Sequence, residues 1–258
     1  MRTLTDNARG GNVGDAGGWK ARLYDAYVSS GQAAPRAAGE LDAPVRRFAP
    51  HIRQFIARHV PPNRDARIVD LGCGDGIYVH YLHEAGYHNT TGVDVSAEQV
   101  QRARQMGLAE VQQEDLDRFI DGEADGSLDV VLLMDVLEHL TRAELFRTLE
   151  GVRRALVPGG LCLAHVPNAE GIFGMRVRYG DATHEQAFTA QSARQLFHAL
   201  GFTRVTCHED RPVVHGPVSL ARRVLWDVGT IPHRVLLAAE TGAWGGLLSQ
   251  NFLIEAIT

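Results

Sequence analysis

Two rhythms of apolar residues alternate along this chain. Ile68-Val69-Asp70-Leu71 and Val130-Val131-Leu132-Leu133-Met134 are short, nearly unbroken apolar runs, the pattern of strands covered on both faces. Elsewhere the spacing is helical. Val45, Phe48, Ile52, Phe55 and Ile56 form a stripe that stops before Pro61-Pro62, and Leu23, Tyr24 and Tyr27 predict a shorter helix ahead of it. Tyr78, Val79 and Leu82 follow a glycine turn and run to a stop at Gly86. Thr189 is placed to cap a helix whose stripe, Ala193, Leu196, Phe197 and Leu200, closes at Gly201 and leads to a sixth strand over 202–207. Residues 251–257 read as the last strand. Strands separated by helices predict an α/β fold with a largely parallel sheet.

Two segments fall outside this alternation. Residues 1–20 are rich in Gly, Asn and Asp and have almost no periodic apolar pattern, so a flexible arm is expected there, followed by one domain over 21–258. Residues 210–248 contain an Arg- and Trp-bearing stretch too long for a hairpin and predict a helical insertion.

Composition narrows the class. The 258 residues, 45% hydrophobic and without a long apolar run, allow one substantial core and no membrane span. A formal net charge of -5 argues against nucleic acid as the standing partner. Cys73, Cys162 and Cys207 lack metal-ligand spacing and predict reduced thiols. The first residues have no apolar signal-peptide core, so a cytoplasmic protein is expected.

Chemistry concentrates in Asp70-Leu71-Gly72-Cys73-Gly74-Asp75-Gly76. Glycines after a buried strand let the chain turn sharply and bring a ligand against backbone. A dinucleotide site needs Gly-x-Gly-x-x-Gly, but the third glycine comes one residue early, at Gly76, and Ile77 takes its place, which weakens a nicotinamide reading. Asp94, about 20 residues on at the end of the second strand, is an acid able to take two ribose hydroxyls. With both parts present, the chain resembles the class I S-adenosylmethionine (SAM) methyltransferases, whose Asp-x-Gly-x-Gly-x-Gly motif is matched from Asp70 to Gly76. The resemblance continues through residues 130–139 and Leu156-Val157-Pro158-Gly159-Gly160.

That resemblance implies a Rossmann-like, doubly wound, seven-stranded sheet, six strands parallel and the C-terminal one antiparallel, with helical caps from the N-terminal segment and the late insertion. It also implies a SAM site formed by Asp70, Gly72, Cys73, Gly74, Asp94, Val95, Asp115, Leu116 and Met134. Backbone at Gly72 and Gly74 would approach the methionyl and ribose parts, Asp70 the ammonium group, Asp94 the ribose, and Asp115 rather than Glu114 the adenine amino group. Tyr24 or Tyr27 would close over the cofactor or, as aromatics at helical spacing more often do, pack in the core.

A second constellation concerns the reaction. If a helical turn starts after Met134, Asp135, Glu138 and His139 share one face at the carboxyl edge of the sheet, with His184 on a later loop able to fold over it. An acid-x-x-Glu-His pattern followed by a loop His resembles the small-RNA 2′-O-methyltransferases, where it holds a divalent metal, and the ubiquinone-biosynthesis O-methyltransferases. Both imply transfer to oxygen. Three roles stay open: Asp135, Glu138, His139 and His184 as ligands of Mg²⁺, Mn²⁺, Fe²⁺ or Zn²⁺; His139 or His184 as a general base oriented by Glu138; or helix capping and edge packing.

Pro167-Asn168, the run from Asp181 to Thr189 and Glu240-Thr241-Gly242 resemble bacterial methyltransferases of surface-polysaccharide and secondary-metabolite assembly. This implies a small-molecule or glycan hydroxyl as acceptor, with the insertion as one wall of its pocket. Arg176, Arg178, Arg222 and Arg223 would read an anionic handle. RNA methylation and a non-catalytic SAM-binding role are the alternatives. The apolar positions of the insertion suit the pocket, a homodimer interface or a membrane surface equally.

Overall fold

The computed structural model describes residues 18–25 and 43–258. The chain divides into two units, residues 1–35 and 36–258. In the first, the described segment is helix α1 (Gly18–Asp25), so Gly18, Trp19 and Lys20 are helical although the sequence places them in the flexible arm. The rest of the expected arm, Tyr27 and the side chain of Tyr24 lie outside the described residues.

In the second unit, α2 (Ala43–His59) leads into β1 (Ile68–Leu71), α3 (Ile77–Glu84), β2 (Thr90–Asp94), α4 (Ala97–Gln105), β3 (Val111–Gln113), α5 (Leu116–Gly122) and β4 (Leu128–Met134). A 3₁₀ turn (Leu137–His139) precedes α6 (Arg142–Ala155), β5 (Leu156–Pro167), the short α7 (Gly174–Arg178), α8 (Ala190–Ala199) and β6 (Arg204–Glu209). The expected insertion is a pair of helices, α9 (Pro217–Gly229) and α10 (Ile231–Thr241), and β7 (Asn251–Ile257) closes the chain. The strands form one sheet in the order β3-β2-β1-β4-β5-β7-β6. β1 to β5 run parallel, and β7 lies antiparallel between β5 and β6, which leaves one reversed strand among seven as expected.

Side-chain alternation divides the interior between the two faces of this sheet. On β4, Val131 and Leu133 join Leu145, Leu149 and Val152 of α6 and Phe197 of α8, whereas Val130, Leu132 and Met134 join Ile52, Phe55 and Ile56 of α2 and Leu82 of α3. Both faces are covered, which is why β4 is apolar at nearly every position. Phe48, assigned to the same stripe of α2, is instead 59% exposed. Thr189 caps α8 as its position predicts, accepting from the Ser192 N–H. Strand β6 starts at Arg204, two residues later than expected, because Phe202 turns inward against Phe197 with ring centroids 5.1 Å apart.

Strand order reverses between β1 and β4. The loops that leave their carboxyl ends part to opposite sides, and the crevice so formed is where ligands bind in open α/β sheets. No described helix is long and apolar enough to cross a membrane.

Candidate active site

At the end of β1 the backbone turns through Gly72, Gly74 and Gly76 with φ of 74°, 57° and 78°. Side chains are strained in that region, and at Gly72 a β-carbon would also stand 2.6 Å from Val136 Cγ2. The turn after β4 therefore packs directly on the glycine turn. Gly72 and Cys73 N–H donate to the Val93 carbonyl at 2.7 and 3.0 Å. Gly74 and Ser96 N–H both donate to the Asp94 carboxylate at 2.8 Å, so Asp94 ties the glycine turn to the end of β2. Burial raises its pKa, against those two donors.

Asp70 is 0% exposed, and neither carboxylate oxygen has a hydrogen-bond partner among the described residues. Burial first, and Asp94 second, lift its pKa from 3.8 to about 7. A buried acid without a partner, beside a turn that only glycine fits, suits a ligand that brings an ammonium group. Val95, next to Asp94 in the chain, is 57% exposed, Leu116 is half-buried, and Met134 ends β4. Cys73 is buried, and burial pushes its thiol up. Asp115 has a task the sequence reading did not foresee: its Oδ1 accepts from the N–H groups of Asp117 and Arg118 at 3.1 and 3.0 Å and caps α5.

After Met134 the expected helical turn does not start. Asp135 adopts φ 56°, and the 3₁₀ turn begins only at Leu137, so Asp135 does not share a helical face with Glu138 and His139. Its N–H donates to the His165 carbonyl at 3.1 Å, and its carboxylate lies 2.6 Å from His165 Nδ1. Burial opposes the charge on His165, but Asp135, then Asp210, hold the imidazolium well above its usual pKa.

The other three residues converge. Ligand atoms of Glu138, His139 and His184 lie within 4.8 Å of one another, and the two imidazoles meet edge to face at 4.6 Å. His184 Nδ1 is 3.1 Å from the Val177 carbonyl, which only an Nδ1–H can satisfy, so its Nε2 is the basic nitrogen. His139 Nδ1 is 2.8 Å from Thr183 Oγ1, and that hydroxyl donates its single proton to Asp181 Oδ1 at 2.6 Å. Thr183 must then accept from His139 Nδ1–H, which again leaves Nε2 basic. Glu138 is 1% exposed with Oε2 unpartnered among the described residues, and burial, then Asp135, hold its carboxyl well above the usual range. The sequence named Thr183 and Asp181 only as neighbours of His184. His165 carried no signal, being one residue of a buried strand.

A cavity of about 890 Å³ opens beside Met134 and His165. Its basic wall comes from Arg58, Arg194, Arg211, Arg223 and Arg234, with Glu209 holding Arg211 at 2.6 Å and Arg234 at 3.1 Å. Of the four arginines expected to read an anion, Arg223 lines this cavity, while Arg178 donates to the Glu185 carbonyl at 2.7 Å. Arg176 and Arg222 do not line it.

Residues 42–207 match the sequence model of a methyltransferase domain family. A ubiquinone biosynthesis O-methyltransferase of Erwinia tasmaniensis is 36% identical over 106 residues, covering 38% of this chain and 41% of that protein. One from Chelativorans sp. is 30% identical over 135 residues, covering 46% and 51%. The matches thus span about half the length of these relatives or less. A SAM-dependent methyltransferase structure from Archaeoglobus fulgidus superimposes with a TM-score of 0.61 at 19% identity, over 81% of this chain and 93% of that one. One from Mesorhizobium loti gives 0.55 at 20% identity, over 85% and 100%. These two likenesses concern the fold.

Proposed function

Since this chain belongs to the methyltransferase domain family, we propose that it is a SAM-dependent O-methyltransferase acting on a hydroxyl of a small-molecule or glycan acceptor. The observation that carries the oxygen assignment is the Glu138, His139 and His184 cluster, whose first two members lie on the chain segment packed against the glycine turn through Val136, and whose third comes from the later loop. SAM supplies an electrophilic methyl group on a sulfonium centre. Asp70 would accept from its ammonium group, Asp94 from the ribose hydroxyls, and Val95 would cover apolar surface of the base.

Glu138, His139 and His184 form a mixed carboxylate and imidazole set, better suited to Mn²⁺, Fe²⁺ or Zn²⁺ than to Mg²⁺. Their backing supports this reading, since each imidazole donates Nδ1–H to a protein acceptor and keeps Nε2 as its basic nitrogen, as metal-binding histidines do. A divalent ion there would supply Lewis acidity toward the acceptor hydroxyl. The Thr183 contact also favours a second reading, in which His139 Nε2 removes the hydroxyl proton directly, an effect worth about 10²–10⁴ in rate. The basic cavity wall suits an acceptor with a phosphate or carboxylate.

SAM turnover against a panel of phenols, glycans and RNA, with and without a chelator, tests the proposal. Turnover on a phenol or glycan that is lost on chelation, with SAM binding retained and activity restored by one divalent ion, supports the metal. Chelator-insensitive turnover with an imidazole-like rise in the pH profile supports His139 as base. Methylation of RNA alone, or SAM binding without turnover on any acceptor, would overturn the proposed function.

A further inference from the structure

Three donors from three other elements meet at one point. His59 ends α2, His208 lies on β6 and Glu255 on β7, and ligand atoms of all three fall within 4.8 Å of one another. Backbone register brings the last two together: Glu255 pairs with Thr206, two residues from His208, so the two side chains are diagonal neighbours on one face of the sheet. Glu255 Oε2 stands 3.1 Å from His59 Nδ1 and 3.2 Å from His208 Nε2. Ligands bound at 2.0–2.1 Å around a tetrahedral ion stand about 3.3 Å apart.

The two contacts differ in kind. His59 Nδ1 is hydrogen-bonded to the carboxylate. His208 Nε2 is out of line for such a bond and is a buried nitrogen with no hydrogen-bond partner among the described residues. A plain ion pair would align both N–H groups on the carboxylate. A nitrogen held at ligand spacing but unaligned is what a shared cation would complete.

We propose that His59, His208 and Glu255 form a binding site for a zinc-class divalent cation, built from residues other than the Glu138, His139 and His184 cluster. Two imidazoles and one carboxylate are a borderline-soft set that favours Zn²⁺ over Mg²⁺, and three protein ligands leave a fourth position open. His59 and His208 both line the 890 Å³ cavity, so the site borders that space. The site does not depend on the proposed function.

The test is a titration of chelator-stripped full-length protein with Zn²⁺ alone, bound metal being counted by elemental analysis after dialysis. His208→Ala and Glu255→Gln, checked for folding by circular dichroism, should each lose one equivalent relative to wild type, whereas His184→Ala should keep it. X-ray absorption on the zinc-loaded His184→Ala protein, whose sheet residues are untouched, should show two imidazoles around the ion. A wild-type metal count in either folded variant, or a His184→Ala protein that binds no zinc, overturns the site.

Discussion

Asp70 is buried without a hydrogen-bond partner among the described residues, and a carboxylate in that position acts on stability and on binding with opposite signs. With its pKa raised from 3.8 to about 7, the folded protein keeps a proton that the unfolded chain has released, so stability falls as pH climbs between those values and stays lower above them. The full effect is on the order of 4 kcal/mol. Asp70→Asn should flatten that slope in denaturant titrations and yet weaken SAM binding measured by calorimetry; a variant that keeps both slope and affinity contradicts the assignment. Thr183 offers a second single-atom test. Thr183→Val keeps the shape but removes the acceptor for His139 Nδ1–H, so turnover should fall about 10- to 100-fold with SAM affinity unchanged. Its pH profile should shift as well, a change that mere loosening of the loop would not produce.

Between β5 and β7, one buried side chain does the work of a connection. Asn168 is 0% exposed, its Nδ2 donates to the carbonyls of Leu247 and Ser249 at 2.7 and 2.8 Å, and its Oδ1 accepts from the Glu170 N–H. β-carbons at Gly171 and Gly174 would collide with the carbonyl oxygens of Ser249 and Asn168. The loop after β5 is thus pinned to the segment entering β7. Asn168→Ala should cost about 1–3 kcal/mol, read as a lower denaturant midpoint at unchanged slope. The cap at Thr189 was readable from sequence, its partner Ser192 standing three residues away in the same turn, whereas the equally local cap from Asp115 was not, because its acidic side chain also suited a ligand. The conformation of Asp135 was not, because φ 56° is held by His165, thirty positions along the chain and one strand over.

For the molecule as a whole, the crevice between β1 and β4 lies in the middle of the seven-stranded sheet, so cofactor binding should stabilise the second unit. At a hundredfold excess over its Kd, SAM should add about 2.7 kcal/mol and raise Tm by about 5–10 °C, while NAD should leave it unmoved. A shift with NAD and none with SAM would reverse the reading of the glycine turn. What depends on near neighbours was legible in the amino-acid sequence: the glycine turn from Gly72 to Gly76, the acid at Asp94, the two-sided strand β4, and the helices whose apolar stripes match their period. It also brought together Glu138, His139 and His184 by a motif and a loop. Folding in three dimensions is what pairs Asp135 with His165, lets Thr183 and Asp181 set the tautomer of His139, and brings His59, His208 and Glu255 to one point. Local patterns survive in sequence because steric and hydrogen-bonding preferences act within a few residues. Contacts between distant segments depend on strand register and packing angle, for which a single sequence carries no periodic signal.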